Sequence, residues 1–383
     1  MIKRLPLEER RGVIPVSAIV LFITAFTIAN SNALLTKPSN VPTSMLSKII
    51  SGNRSFLRMM TKVSSPCLWS VPVKTDSQWD VDLYQQQHSY VWKYGSSLID
   101  VLEKELETSI VSCQQHPSNR LRILDVGCGS GELTKELFLR VNSKFNDATK
   151  DKNSCHLQVA GIDFDETMVH RAQKENSMSP KLVFFQSDVC QLSPIATFPA
   201  TETNTAAETL GQFDAIVSNA CLHWVHDADA GVAAMSSVLK PNGKFVVEFG
   251  GAGNVGAIVQ ATAQVIQKRQ PGNDHGSVPF RPWYFPSIGE YTTILEKHGI
   301  EATSAVLYDR PTPLDDGKNG MKNWLNMFGG PLLDNFIEST SASVSREDVI
   351  AEIVDLLRPT LYSDSEAQWV ADYRRIRVVG QKK

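Results

Sequence analysis

A basic excess is missing from this chain of 383 residues. Its formal net charge is −3, whereas a nucleic-acid surface needs clustered lysine and arginine to meet phosphates, so no nucleic-acid partner is expected. Cysteine is also scarce. The six thiols, Cys67, Cys113, Cys128, Cys155, Cys190 and Cys221, form neither a C-x-x-C pair nor a disulfide-dense pattern, so they read as isolated reduced thiols and no metal site is expected. No internal repeat is present. The glycines do not follow the dinucleotide spacing G-x-G-x-x-G either, which disfavours a nicotinamide cofactor without excluding it. What the chain does have is 42% hydrophobic residues, enough for one large buried core with additions.

The clearest local signal is the run from Leu121 to Gly131. Leu121, Ile123, Leu124 and Val126 read as a buried parallel strand, and Leu133, Leu137 and Val141 recur at helical spacing just beyond. Between them lie Gly127, Gly129 and Gly131. Glycines in such a turn let backbone N–H groups approach a ligand without Cβ interference, and the following helix N-terminus favours an anionic group. A nucleotide-like cofactor is therefore expected over Gly127 to Gly131. With Asp125 at the strand end, the D-x-G-x-G-x-G run resembles the first motif of class I S-adenosylmethionine-dependent methyltransferases. That resemblance implies S-adenosylmethionine as cofactor, with Asp125, Gly127, Cys128, Gly129 and Gly131 beside it.

Later strand ends extend the pattern. Leu157 to Asp163 closes on a carboxylate where such folds bind ribose hydroxyls, and a polar, loop-like insertion from Asn142 to Ser154 accounts for its distance from the glycine turn. Phe164 then packs either on adenine or in the core. Leu182 to Val189 ends on Asp188, which in the resembled family meets the adenine amino group, with Val189 beside it. Phe213 to Asn219 runs into Ala220-Cys221-Leu222-His223-Trp224, the family position beside the transferred methyl, where Asn219 and Ala220 are expected at the cofactor. Cys221 reads as small apolar packing. A Pro241-Asn242-Gly243 turn precedes a fifth strand through Phe249, and segments at Glu301 to Tyr308 and Tyr373 to Val379 complete a seven-stranded sheet. The fold class is α/β: a Rossmann-like, mostly parallel seven-stranded sheet with helices on both faces and a helical lid.

A narrower resemblance rests on Trp79 to Tyr84, His88, Val91 to Gly95, Ser218 to Trp224, Phe280 to Pro286, Asp309 to Leu314 and Trp324 to Phe328. These blocks look like the trans-aconitate methyltransferase-like group, from about Trp79 to Gly380. The resemblance implies a small-molecule acceptor, with Trp79, Tyr84 and Trp92 on an N-terminal helical cover over the cofactor. The lid is expected at about 272–360 within a domain at 76–383. A carboxylate acceptor is already ionised at neutral pH and needs no base. Arg281 and Arg310 are candidate clamps for it, or else structural ion pairs. For a hydroxyl or amine acceptor, His223 is the best-placed base, or else a hydrogen-bonding spacer. A non-catalytic S-adenosylmethionine-binding protein and, less favoured, a nicotinamide-dependent reductase remain alternatives at this stage.

The N-terminus has a different composition. Lys3, Arg4, Arg10 and Arg11 precede an apolar stretch, Val13 to Ala29, that is shorter than the roughly 20 residues of a comfortable bilayer span. With Ser31-Asn32-Ala33 as a small-x-small site, residues 1–33 read as a signal peptide or signal anchor, the latter being the sole expected membrane attachment. From Asn30 to Thr75 there is no acidic residue, while six basic ones sit among serines and threonines, so 34–75 reads as a transit-peptide-like linker. Together they resemble the bipartite leader of proteins sent to complex plastids, although leucine follows the cleavage point where phenylalanine is usual. Mitochondrial, endoplasmic reticulum and secreted destinations stay open.

Overall fold

The computed structural model describes residues 90–115, 120–148, 156–176, 179–196, 210–269, 283–339 and 344–383, all within the unit Pro72–Lys383. The leader read at 1–33 and 34–75, together with Trp79, Tyr84 and Arg281, lies outside these residues.

The elements follow in order: α1 (Tyr90–Lys93), α2 (Ser96–Gln115), β1 (Arg120–Val126), α3 (Glu132–Ala148), β2 (His156–Asp163), α4 (Glu166–Asn176), β3 (Leu182–Gln186), β4 (Phe213–Asn219), α5 (Ala228–Val238), β5 (Leu239–Gly250), α6 (Gly256–Arg269), α7 (Ile288–Lys297) and β6 (Ile300–Asp309). Then come β7 (Thr312–Pro313), α8 (Gly320–Phe328), α9 (Gly330–Ser339), α10 (Arg346–Leu361), β8 (Tyr362–Ser363), β9 (Gln368–Ala371) and β10 (Arg374–Lys382). Seven strands form one sheet in the order β3-β2-β1-β4-β5-β10-β6. The first five run parallel, and β10 inserts antiparallel between β5 and β6. This is the expected α/β sheet. Strand order reverses between β1 and β4, which opens a crevice at the carboxyl ends of those strands.

Alternation along β1 explains the layers. Ile123 joins one core with Leu98, Leu102 and Leu106 of α2 and Leu137 of α3, while Leu124 joins the opposite core with Val232 and Met235 of α5 and Tyr291 and Leu295 of α7. Both faces are therefore covered. A third apolar cluster unites α6, α8, α9 and α10 with Trp283, Trp369 and Tyr373.

Two boundaries differ from expectation. The insertion expected as a loop from Asn142 is helical as far as Ala148, because a helix that buries one stripe, here Leu133, Leu137, Phe138 and Val141, tolerates polar residues on its outer side. The segment expected as a lid at 272–360 also divides. Its α7 and β6 belong to the main sheet and its cover, with Ser287 and Glu290 forming the capping box that starts α7, whereas α8 to α10 and the small β7-β9-β8 sheet form the third cluster. Tyr291 and Leu295 decide this, since both are buried against the sheet.

Candidate active site

The glycine turn after β1 is shaped by close approach. Gly127, Gly129 and Gly131 have φ of 76°, 53° and 91°, the left-handed region that favours glycine. The N–H groups of Gly127 and Cys128 both donate to the Ile162 carbonyl, at 2.8 and 2.9 Å, which ties the turn to β2. A Cβ on Gly127 would stand 2.2 Å from the Cys221 Cβ, so Cys221 is packing, as expected from the sequence. At Gly129 a Cβ would meet nothing within 4 Å. The turn is thus walled behind and open in front.

Two carboxyls flank it. The Gly129 N–H donates to Asp163 Oδ2 at 2.9 Å and the Asp165 N–H to Asp163 Oδ1 at 3.0 Å, so both oxygens are oriented by backbone. Burial pushes the Asp163 carboxyl up, and those backbone donors oppose the shift. Asp125 is 1% exposed and accepts from Thr134 Oγ1 at 2.6 Å. Burial pushes it up to about 7, despite the Thr134 bond, and the nearby Asp163 charge adds to the rise. Asp188 caps the short turn Val189–Gln191 by accepting from the Cys190 N–H at 2.9 Å, with Val189 buried behind it. Phe164, by contrast, is 69% exposed at the end of β2. It is not core.

At the end of β4, Asn219 Nδ2 donates to the Val91 carbonyl at 3.0 Å, which fastens α1 over this edge, and half-buried Trp92 packs on the core beside α2. Ala220 takes φ of 55° and donates its N–H to the Glu248 carbonyl at 2.7 Å. His223 lies just beyond, buried, with its ring 5.5 Å from Trp224 and 5.8 Å from Phe285. Burial, reinforced by the positive charge of Arg375, holds it well below the usual histidine range. Its Nδ1 is buried without a hydrogen-bond partner among the described residues.

The two arginine candidates part company here. Arg281 is outside the described residues. Arg310 Nη1 pairs with Glu248 Oε1 at 2.8 Å, and its guanidinium covers the Tyr94 ring at 4.6 Å. Glu248 is 1% exposed, and its other oxygen accepts from Tyr308 Oη at 2.8 Å and from Arg377 Nε. Arg310 therefore already has a counter-ion, the structural alternative read from the sequence. The residue that sequence reading missed is Arg375, 3% exposed, whose Nε and Nη1 have no partner among the described residues. Its signal was present in the last strand, where Arg375 and Arg377 alternate with Ile376 and Val378, which lie in the core.

Among the described residues, no group of His, Cys, Asp and Glu is placed to hold a metal ion, and no helix is long and apolar enough to cross a membrane.

The methyltransferase domain model matches residues 124–245, which span the glycine turn, Asp163, Asp188 and the β4 edge. Residues 124–245 thus carry a methyltransferase domain, and the chain is similar to methyltransferases along most of its length. An uncharacterized methyltransferase of Schizosaccharomyces pombe is 26% identical over 314 residues, 80% of this chain and 99% of that protein. A malonyl-[acyl-carrier protein] O-methyltransferase of Halalkalibacterium halodurans is 32% identical over 32% of this chain, and a trans-aconitate 2-methyltransferase of Deinococcus radiodurans is 30% identical over 33%. This methyltransferase spans 36% and 37% of the lengths of those two relatives. The cofactor that a methyltransferase domain of this kind implies is S-adenosylmethionine. The site fits that cofactor: open space over Gly129, an exposed Phe164 and two carboxyls beside the turn suit an aromatic base, a ribose and a cation.

Proposed function

We propose that this methyltransferase esterifies a carboxylate on a small molecule. The observation that carries the reading is His223. The residue at the base position is buried, neutral and weakly basic, so an acceptor that must lose a proton gets little help from it, whereas a carboxylate needs none. Two relatives support the reading, since their names give malonyl-[acyl-carrier protein] and trans-aconitate as acceptors.

In this reading the Gly127 to Gly131 turn and Asp163 hold the cofactor, Phe164 faces the adenine, and Asp188, Val189, Asn219 and Ala220 complete its enclosure. When bound, S-adenosylmethionine supplies a methyl group on a sulfonium, which passes to the nucleophile as the carbon–sulfur bond breaks. The chain's own work is to orient the acceptor and exclude water from it, and the aromatic side chains Trp224, Trp283 and Phe285 around His223 do the latter. The acceptor cover is assigned to the α8 to α10 cluster. The basic leader is assigned to delivery into an organelle, a complex plastid by the resemblance of its two parts, and a fluorescent reporter fused to residues 1–75 distinguishes that destination from mitochondrion and secretion.

The cofactor half is tested on Asp163→Ala. Removing charge-assisted bonds of about 1.5 to 3 kcal/mol should weaken S-adenosylmethionine by roughly ten- to a hundredfold in calorimetric titration, and unchanged affinity in folded protein refutes the ribose assignment. The acceptor half is tested with isotopically labelled methyl donor against panels of carboxylic acids, phenols and amines. Methyl esters are the expected products; labelled ethers or amines without esters refute the reading.

A further inference from the structure

We infer that Arg375 is the anchor for the acceptor's carboxylate. This rests on the carboxylate reading above and adds the residue that recognises it.

The charges around β10 do not balance. Arg310, Arg375 and Arg377 face one buried carboxylate, Glu248, and its oxygens already accept from Arg310, Arg377 and Tyr308. The neighbouring Arg374 pairs with Asp309 at 3.2 Å. Among the described residues Arg375 alone of these four has no anion, and two of its donors are buried and unpaired. A buried guanidinium without a partner is strongly unfavourable, and an apolar side chain of similar volume would pack there at less cost. Burial and the charge of Arg310 pull its pKa down to about 10, which still leaves it cationic at neutral pH. Such a group is understandable when a ligand brings the missing anion.

Its surroundings belong to the acceptor side of the site. Arg375 acts electrostatically on His223, and its guanidinium lies 4.7 Å from the Tyr373 ring. The Tyr373 hydroxyl accepts from Trp324 Nε1 at 2.6 Å and lies 3.5 Å from the Tyr90 hydroxyl. The unpaired fork is thus framed by aromatic side chains from α1, α8 and the approach to β10. A guanidinium binds a carboxylate through two parallel N–H bonds, while rings around it favour an apolar body. The ligand class that fits is an acid with one anionic group at the fork and an apolar remainder. Esterification removes the charge that Arg375 holds, so the product should leave more readily than the substrate binds.

The test uses the full chain, with labelled S-adenosylmethionine for turnover and S-adenosylhomocysteine only in the equilibrium titrations. A panel of aliphatic and aryl monocarboxylates is ranked on the wild type by labelled-methyl transfer, and the best acid and its methyl ester are then titrated by intrinsic tryptophan fluorescence. Expected on Arg375→Met is a ten- to hundredfold rise in KM and Kd for the acid, S-adenosylmethionine affinity within about threefold of wild type, and an acid-to-ester affinity ratio near one. Arg375→Lys should fall between the two. Ligand-free Arg375→Met should also melt higher than wild type, because an unpaired buried charge has gone. An unchanged acid KM in Arg375→Met, or a variant that melts lower or fails to fold, overturns the anchor while leaving ester formation by the wild type intact. A wild type that makes no ester from any acid but methylates amines or phenols overturns both.

Discussion

The two halves of the crevice carry opposite charge. Around the ends of β1 and β2, Asp125 and Asp163 stand beside the glycine turn with their carboxyls pushed up by burial, and the Asp163 charge raises Asp125 further. Around the ends of β5 and β10, Arg310 and Arg377 share Glu248, and Arg375 has no anionic partner among the described residues. A sulfonium suits the first half and an anionic nucleophile the second. Under the proposed carboxylate reading, this charge separation along the sheet edge sorts two reactants of opposite sign.

The sharpest way to break this arrangement is to remove its one shared counter-ion. Glu248→Ala leaves Arg310 and Arg377 without a buried partner and should destabilise the fold by about 3 to 5 kcal/mol, measured by denaturant unfolding. A loss under about 1 kcal/mol would mean that the arginines find other partners and that the positive half is not held by Glu248. The cofactor half should respond differently. Gly127→Ala combines a left-handed φ with a Cβ only 2.2 Å from the Cys221 Cβ, so the turn must move, at about 2 to 4 kcal/mol of stability and with cofactor affinity lost alongside. If Gly127→Ala binds S-adenosylmethionine normally, the turn is not the cradle.

Legibility in the sequence followed the same division. The cofactor half is made of consecutive residues, strand then turn then helix, so Asp125, the three glycines and Asp163 could be found from periodicity and spacing, and the sheet follows from the order of the strands. Phe164 admits two readings from sequence because one residue after a strand has the same spacing whether it packs or is exposed. Its exposure decides against core. The acceptor half is assembled from positions 223, 248, 310 and 375, which no local pattern unites. Arg310 and Arg375 look alike in sequence, and only the partner differs: Glu248 for one, none among the described residues for the other. The polar stretch after Val141 misled for a similar reason, since a helix with one buried stripe and a loop can share a composition.

A titration sharpens the negative half. Asp125 has a folded pKa of about 7 against an ordinary value of 3.8, so the folded state binds the extra proton. Its contribution to stability is fully present below about pH 4 and is lost as pH rises through 7. Asp125→Asn cannot titrate, so the ligand-free variant should lose less melting temperature than wild type between pH 4 and 7. Parallel melting curves for the two proteins across that range would show Asp125 ionised throughout and the negative half complete before any cofactor arrives.

The smallest expected effect is on Phe164, and it separates binding from folding. A side chain that is 69% exposed buries little on folding, so Phe164→Ala should change stability by less than about 0.5 kcal/mol. If its ring faces adenine, the same substitution removes an aromatic contact worth about 0.5 to 1.5 kcal/mol, a loss of roughly two- to tenfold in S-adenosylmethionine affinity. Denaturant unfolding and calorimetric titration on one preparation read both numbers. A stable variant with weakened cofactor binding places the ring in the site. A stable variant that binds as wild type shows that the ring stays in solvent, and the adenine must then rest on the side formed by Asp188 and Val189 instead.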